Sequence, residues 1–174
     1  MHYRRLLRVA LVTGACVAVA AILSVGMWNM KTIQAAVELQ MSPEVLWKAI
    51  TDHQALPRHV SMLREVKVLE AKQGGVGTVR LCTLSRGKSF HEKITVWEEG
   101  QRYCYQPNTD EAAFPFKWAE ARWSIERQGQ ASRLTYRLQY EPRSRLRDLI
   151  NYPLLRTYGV WQIRKMLKSY DQNR

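Results

Sequence analysis

The sequence predicts a single α+β domain in which a curved antiparallel sheet wraps around one long C-terminal helix. Short segments rich in β-branched and aromatic residues follow one another at intervals of about eight to twelve residues, which is typical of an antiparallel meander. After residue 143, apolar residues recur at steps of three and four, the spacing that places side chains on one face of an α-helix. A length of 174 residues with 46% apolar content suits one domain with a substantial core.

The N-terminal segment is predicted to cross a membrane. Val9–Trp28 contains no charged residue and is long enough to span the ~30 Å hydrocarbon core as a helix. Arg4, Arg5 and Arg8 precede this run, and only Lys31 follows it closely. Because positive charge favours the cytoplasmic side, we expect the N-terminus in the cytoplasm and the domain on the periplasmic or extracytoplasmic side.

A cleaved signal peptide is the alternative to this transmembrane anchor. The first small-residue site that could serve for cleavage, residues 34–36, lies inside the first predicted strand, so cleavage there would damage the fold. We therefore expect an uncleaved anchor in residues 1–31 and a folded domain in residues 32–174.

Turn and capping residues divide the domain into elements. Ser42 as N-cap and Pro43 at the first helical position predict a short helix that ends near Asp52. A second short helical piece is predicted from Gln54 to about Met62. The predicted sheet has six or seven strands, placed at Thr32–Met41, Glu65–Ala71, Thr78–Leu84, Ser89–Trp97, Gln101–Gln106, Phe116–Glu126 and Ser132–Tyr140.

The predicted sheet contains two cysteines, and the distance between their strands decides whether they can form a disulfide. Cys82 and Cys104 fall on strands that a third strand separates, which is about twice the ~4.8 Å strand spacing and beyond disulfide reach. We therefore expect two free, buried or half-buried thiols.

The C-terminal segment predicts an amphipathic helix with a basic second face. Pro153 lacks a backbone donor, so we expect it either to kink the helix or to split it near Asn151. The apolar positions are Leu146, Leu149, Ile150, Leu154, Val160, Ile163, Leu167 and Tyr170.

The net charge of +12 is concentrated at the two ends of the chain. Residues 1–31 hold four bases and no acid, and residues 143–174 hold eight bases against two acids. No zinc-finger spacing, RNA-binding aromatic box or basic leucine-zipper pattern accompanies these bases, so we expect no nucleic-acid partner. We expect an anionic membrane surface instead, contacted by Lys31, Arg156, Arg164, Lys165 and Lys168.

The order of elements and three short motifs resemble a known superfamily. The motifs are Met41–Trp47 entering the first helix, Gly77–Arg80 entering a strand, and Ile94–Glu98, which leads by a turn to Tyr103 and Tyr105. Over residues 32–172 the chain resembles the helix-grip fold of the START-like (SRPBCC) superfamily, in its polyketide cyclase/dehydrase and lipid-transport group. That resemblance implies a curved antiparallel sheet around the last helix. Because the superfamily includes lipid carriers, hormone receptors and cyclases, the fold does not assign one activity.

The later strands carry aromatic, tyrosine and charged residues that suit a ligand cavity. On the strand from Phe116, strict alternation places Phe116, Trp118, Glu120 and Arg122 on one face. An unpaired buried charge is costly, so Glu120 and Arg122 favour a roomy, partly wet cavity for an amphiphilic ligand such as a lipid, quinone or polyketide-like compound. An ordinary aromatic core with solvated charges on the other sheet face is the alternative. The candidate cavity residues are Arg80, Glu92, Tyr103, Tyr105, Phe116, Trp118, Arg122 and Tyr136.

No catalytic, metal or cofactor motif stands out. His53 and His59 lie in the predicted helical corner without the spacing of metal ligands, and we expect surface or capping roles for them. His91 and Glu92 are adjacent on one strand and so point to opposite faces. We expect no catalytic residues, no metal and no cofactor. A cyclase or dehydratase that uses Glu92, His91 or Tyr136 as acid or base, and a ligand-free scaffold, are alternative hypotheses.

Overall fold

The computed structural model describes residues 30–72, 75–111, 114 and 116–172. These residues form seven strands, three helices and one 3₁₀ turn. The strands are β1 (Lys31–Leu39), β2 (Leu63–Glu70), β3 (Val79–Leu84), β4 (Ser89–Glu98), β5 (Arg102–Pro107), β6 (Phe116–Gln128) and β7 (Ala131–Pro142). The helices are α1 (Pro43–Thr51), α2 (Leu56–His59) and α3 (Arg145–Gln172), and the 3₁₀ turn is His53–Ala55.

All seven strands belong to one antiparallel sheet. Its order is β1-β7-β6-β5-β4-β3-β2, so the strands from β2 to β7 form a meander. The first strand pairs with the last, with Lys31 opposite Tyr140 and Leu39 opposite Ser132. Since β1 and β2 lie at opposite edges, α1, the 3₁₀ turn and α2 connect the two edges of the sheet. The predicted meander is confirmed.

The start of α1 follows the capping signal in the sequence. The Ser42 side chain accepts a hydrogen bond from the Val45 backbone N–H at 3.4 Å, and Pro43 occupies the first turn. Capping of this kind satisfies a backbone donor that the helix leaves unpaired. Leu46 and Ile50, one turn apart, are fully buried, so α1 packs through one apolar face as predicted.

The two faces of the sheet differ in how deeply their side chains are buried. We call the face that carries the buried residues and packs against α1 and α3 the inner face, and the opposite one the outer face. Along β6 the buried residues Ala119, Ala121, Trp123 and Ile125 alternate with half-buried or exposed neighbours. Ala119, Trp123 and Ile125 join the main apolar core, which also contains residues of β1, α1, β7 and α3. The period of two therefore assigns odd-numbered residues of β6 to the core.

Two irregularities in strand register bear on the interior. The pairing of β4 with β5 shifts between Ile94 and Val96, and the pairing of β6 with β7 shifts between Phe116 and Trp118. An extra residue of this kind bends the strand and interrupts the alternation of side chains. Phe116 accordingly packs against the inner core despite its even number.

The last helix is continuous but only part of its predicted face is buried. α3 runs through Pro153 without a break, so the predicted alternative of two separate helices is wrong. Ile163, Leu167 and Tyr170 are buried as predicted, whereas Leu154 is 74% exposed. Leu154 precedes Ile163 by nine residues, which is two and a half helical turns, so it points to the opposite side. The prediction that Leu154 shares the apolar face is therefore wrong.

The predicted anchor, Val9–Trp28, lies outside the described residues. Within the part that the structure describes, no helix is both long and apolar enough to cross a membrane.

The two cysteines of the sheet are free and buried. Cys82 lies on β3 and Cys104 on β5, with β4 between them. This arrangement confirms the prediction of two thiols without a mutual disulfide.

Candidate ligand-binding site

A buried ion pair lies at the centre of the inner face. Arg80 on β3 and Glu92 on β4 are opposite each other in the strand register. The Arg80 side chain donates from Nε to the Glu92 Oε2 at 2.7 Å. Arg80 is 1% and Glu92 7% exposed, so water takes little part in holding these charges. Such a pair is stable only when further contacts satisfy both groups.

Cys82 supplies one of those further contacts. Its thiol donates a weak hydrogen bond from Sγ to the same Glu92 oxygen at 3.2 Å. Burial and the neighbouring carboxylate raise the pKa of Cys82 far above its ordinary value, so the thiol stays protonated. A protonated, buried thiol is a hydrogen-bond donor rather than a nucleophile.

His53 provides the second contact, from the 3₁₀ turn. The Arg80 Nη1 lies 2.8 Å from the His53 Nδ1. A guanidinium has no acceptor, so Arg80 donates and Nδ1 accepts, which fixes the neutral tautomer with its proton on Nε2. Burial, and then repulsion by the Arg80 charge, lower the pKa of His53 to about 4. At neutral pH the imidazole is therefore an uncharged acceptor.

Tyr105 completes the surroundings of the guanidinium. The Arg80 guanidinium carbon lies 4.6 Å from the centre of the Tyr105 ring, a cation–π arrangement. Although burial opposes the charged guanidinium, the Glu92 carboxylate more than offsets it and raises the pKa of Arg80. The positive charge of Arg80 is thus already paired within the protein.

Two tyrosine hydroxyls form a second polar feature on the inner face. The hydroxyls of Tyr105 and Tyr136 lie 3.1 Å apart. Burial raises the pKa of Tyr136 to about 12 and that of Tyr105 well above its ordinary value. Both residues nevertheless keep accessible surface, since they are half-buried rather than buried.

Closely packed aromatic rings close the interior on the α1 side. The Tyr103 ring packs 6.1 Å from Trp47, 5.8 Å from Trp97 and 6.3 Å from Trp123, measured between centroids. The Tyr103 hydroxyl donates to the Ile50 carbonyl at 3.0 Å. This part of the inner face is filled by the protein's own side chains.

Six of the eight predicted cavity residues lie on the inner face. They are Arg80, Glu92, Tyr103, Tyr105, Phe116 and Tyr136. The strand register brings them together from β3, β4, β5, β6 and β7.

Trp118 and Arg122 do not join them. Arg122 lines a groove on the outer face together with Ser124, and Trp118 shares that face because Ala119 and Ala121 point into the core. The sequence alternation was counted from Phe116, and the register shift after that residue reverses it. The prediction that Trp118 and Arg122 line the cavity is therefore corrected.

His53 is the site residue that the sequence did not identify. It was predicted to have a surface or capping role, but it is buried against the rings of Trp97 and Tyr103. A histidine in an irregular helical corner has no periodicity to indicate its direction. Only the position of Arg80 in the folded sheet shows its role.

His91 and Glu92 do point in opposite directions. His91 is partly exposed, and its Nδ1 lies 2.9 Å from the Glu111 carboxylate, while Glu92 enters the interior. His91 thus stands apart from the inner site. Within the described residues, no group of three or more His, Cys, Asp or Glu side chains is arranged to hold a metal ion.

We next compared the chain with known protein families. A family described as "Polyketide cyclase / dehydrase and lipid transport" matches residues 30–172. The chain belongs to this family. The description joins cyclase and dehydrase enzymes with lipid transport. A search of curated protein sequences finds no match.

Solved structures share the fold of this polyketide cyclase and lipid-transport family member. A START superfamily protein from Mycobacterium smegmatis superimposes with a TM-score of 0.66 at 16% identity, over 81% of this chain and 94% of that one. The Zhui aromatase/cyclase from Streptomyces sp. R1128 gives 0.64 at 12% identity, over 83% and 96%. A norcoclaurine synthase point mutant from Thalictrum flavum gives 0.60 at 15% identity, over 82% and 94%. The helix-grip fold predicted for the domain is confirmed.

The predicted membrane-contacting bases lie on the surface of this family member's last helix and at its first strand. Arg156, Arg164, Lys165 and Lys168 are all exposed. The Lys31 ammonium lies 4.9 Å from the centre of the Tyr152 ring, which brings the start of β1 next to α3. Exposed apolar residues accompany them on α3, namely Leu154, Tyr158 and Trp161.

Proposed function

We propose that this domain binds a hydrophobic or amphiphilic small molecule between the inner face of the sheet and α3, beside the membrane that anchors it. A lipid, a quinone or a polyketide-like compound has the required chemistry. Binding would remove apolar ligand surface from water at about 25 cal/mol per Å².

The depth and accessibility of Tyr105 and Tyr136 carry this proposal. Both rings face inward and are deep enough for burial to raise their pKa, yet both keep accessible surface. Leu138 and Phe116 are likewise inward-facing and half-buried. An apolar lining with a few convergent polar groups is the usual composition of a small-molecule site.

The polar groups of the inner face suggest a ligand with a neutral polar end. Arg80 and Glu92 already satisfy each other, with His53 and Cys82 as further partners. In the Tyr105–Tyr136 pair one hydroxyl donates to the other, so the donating hydroxyl can still accept and its partner can still donate one further hydrogen bond. They suit a carbonyl or hydroxyl oxygen of the ligand better than a charged group.

Charge and exposed aromatic residues support the membrane part of the proposal. The apolar run Val9–Trp28 ends shortly before Lys31, whose side chain lies against α3. The exposed Trp161 and Tyr158 are the residue types that concentrate at membrane interfaces, and the Lys165 ammonium lies 5.7 Å from the centre of the Trp161 ring. The exposed bases of α3 would then contact anionic headgroups.

Native mass spectrometry with solvent extraction tests the binding proposal. The full chain would be purified in a mild detergent and compared with Leu138→Trp, which fills the space next to Tyr136. Leu69→Trp is the matched control, because Leu69 is exposed on the edge strand β2. We expect a stoichiometric hydrophobic compound in the unchanged chain and in Leu69→Trp, but not in Leu138→Trp.

Other outcomes would favour the alternatives. A stable chain that carries no compound in any of the three forms would contradict the binding proposal and favour a ligand-free scaffold, which the packed rings around Tyr103 already suit. Catalysis is less favoured, because Glu92 is held by Arg80 and His91 lies elsewhere. Release of the full chain from membranes by alkaline carbonate would contradict the anchor without affecting the binding result.

A further inference from the structure

The outer face of the sheet carries a groove that the ligand-binding proposal does not use. It has a volume of about 320 Å³ and is bordered by residues of β1, β6 and β7. We call it the outer groove, and its basic and neutral polar lining residues are Arg122, Arg133, Arg137, Gln34, Ser124 and Thr135. Glu126 is the acid among its lining residues. Three arginines against one glutamate leave this small surface with a formal charge of +2.

The strand register places two of these arginines directly opposite each other. Arg122 on β6 pairs with Arg137 on β7, and Ser124 pairs with Thr135 one step further along. Like charges at directly opposed positions destabilise a sheet. A negative charge nearby would offset this repulsion.

Among the described residues, no carboxylate forms an ion pair with Arg122 or Arg137. Glu120, two positions before Arg122 on β6, accepts a hydrogen bond from the Gln106 amide instead. The Nε atoms of Arg122 and Arg137 are buried and have no hydrogen-bond partner in the described part of the chain. Arg133 stands between Glu126 on β6 and Glu38 on β1 in the register, yet no ion pair joins it to either in that part of the chain. The Nε of Arg102 on the neighbouring strand β5 likewise has no hydrogen-bond partner in the described part of the chain, but the Nη2 of Arg102 is paired with Glu98. The arginines of the outer groove therefore have unused donor capacity.

We propose that the outer groove binds a phosphate-type oxyanion, either a free phosphate monoester or the headgroup of a phosphomonoester lipid. Guanidinium groups match phosphate oxygens with paired, charge-assisted hydrogen bonds. The hydroxyls of Ser124 and Thr135 and the amide of Gln34 add neutral donors from three adjacent strands. A tetrahedral dianion can use more of these donors than a carboxylate can, and its charge matches the formal +2 of the groove.

Titration of the full chain in a non-ionic detergent tests this site. Inorganic phosphate and glycerol 3-phosphate are the probes, with sodium chloride at matched ionic strength as reference, and thermal unfolding and calorimetry as readouts. The test variant is Arg122→Gln with Arg137→Gln. The matched control is Arg64→Gln with Arg86→Gln, which removes two charges from exposed positions on β2 and the β3–β4 turn.

We expect saturable binding that the control retains and the test variant weakens roughly tenfold or more. Thr135→Val keeps the charge and shape but removes a donor, and we expect it to weaken binding by roughly threefold to tenfold. Because it leaves every arginine in place, this variant still tests the site if the double variant does not fold. An equal response of both double variants, or a response that does not saturate, would overturn the proposal.

Nanodiscs distinguish the source of the phosphate group. The full chain would be reconstituted in phosphatidylcholine with or without phosphatidic acid. Stabilisation by phosphatidic acid that depends on Arg122 and Arg137, without binding of the free probes, supports the site with a lipid headgroup as its ligand. Binding of the free probes alone supports the site with a soluble phosphate ester. No response to any of these probes would show that the outer groove is not an anion site.

Discussion

Arg80 and Glu92 face each other across β3 and β4 and place a complete ion pair in the interior of the domain. Three other side chains contact the pair: His53 and Tyr105 lie against Arg80, and Cys82 donates to Glu92. Because the surroundings are nearly free of water, neither charge has a substitute partner once the other is removed. The five residues therefore act as one structural unit.

Replacing Glu92 should destabilise the fold strongly. Glu92→Gln leaves the Arg80 charge buried without its counter-charge, and we expect a loss of about 3 to 5 kcal/mol in the free energy of unfolding. Denaturant unfolding followed by circular dichroism measures it. Glu98→Gln is the control, since it breaks the more exposed ion pair with Arg102 and should have little effect.

A double substitution distinguishes the cost of leaving a charge unpaired from the cost of disturbing the packing around it. Arg80→Met combined with Glu92→Leu removes both charges, and we expect it to be more stable than Glu92→Gln alone. A double variant as unstable as the single one would show that packing around the pair, rather than the unpaired charge, dominates.

Stability should fall in acid because of His53. Its pKa is about 4 in the folded chain against the ordinary value of 6.5, so the unfolded chain binds more protons between these values. Stability therefore decreases as pH falls through this window, by about 2 kcal/mol from pH 7 to pH 5. His53→Asn keeps an acceptor near the Arg80 guanidinium but cannot titrate, so its stability should depend less on pH.

Comparing the pH dependence of stability of the unchanged chain with that of His53→Asn isolates the contribution of His53. Burial also lowers the pKa of His59, but His59 is present in both and its contribution cancels. Unfolding free energies at several pH values between 7 and 5 give the result. Parallel pH profiles for the two proteins would contradict the assignment.

Two buried tyrosines should respond differently to loss of their hydroxyl. The Tyr103 hydroxyl donates to the Ile50 carbonyl, so Tyr103→Phe should cost about 1 kcal/mol. The Tyr170 hydroxyl is buried and has no hydrogen-bond partner among the described residues, and Tyr170→Phe should leave stability unchanged or raise it. Thermal unfolding of both variants provides the test, and equal losses would indicate that a partner such as water serves Tyr170.

Gly75 should tolerate no side chain. Its φ of +78° lies in the left-handed region, and a Cβ there would collide with the ring of Trp97. Gly87 has a similar φ of +86° but open space around it, so Gly87→Ala should cost only the backbone term of about 1 to 2 kcal/mol. Gly75→Ala should cost about 1 to 3 kcal/mol more, because Trp97 must move. Equal losses in denaturant unfolding would mean that Trp97 yields freely.

The sequence predicted the strands and α1 well because local signals determine them. The Ser42-Pro43 cap and the glycines at the turns act over a few residues, and the structure agrees with them. Errors arose where geometry depends on distant parts of the chain. The register shift after Phe116 is set by pairing with β7, and it moved Arg122 to the outer face. His53 became a site residue only because the 3₁₀ turn after α1 places it against Arg80 of β3.

The pairing of β1 with β7 also determines the order of assembly. Lys31 can pair with Tyr140 only after β2 to β6 have been synthesised, so we expect the entropy of closing this long loop to be lost late in folding. Until then the meander from β2 to β6 can form by local hairpins, while β1 keeps an unpaired edge. A chaperone that covers a lone strand, or mutations that slow translation near β7, should therefore affect the yield of folded chain more than its final stability.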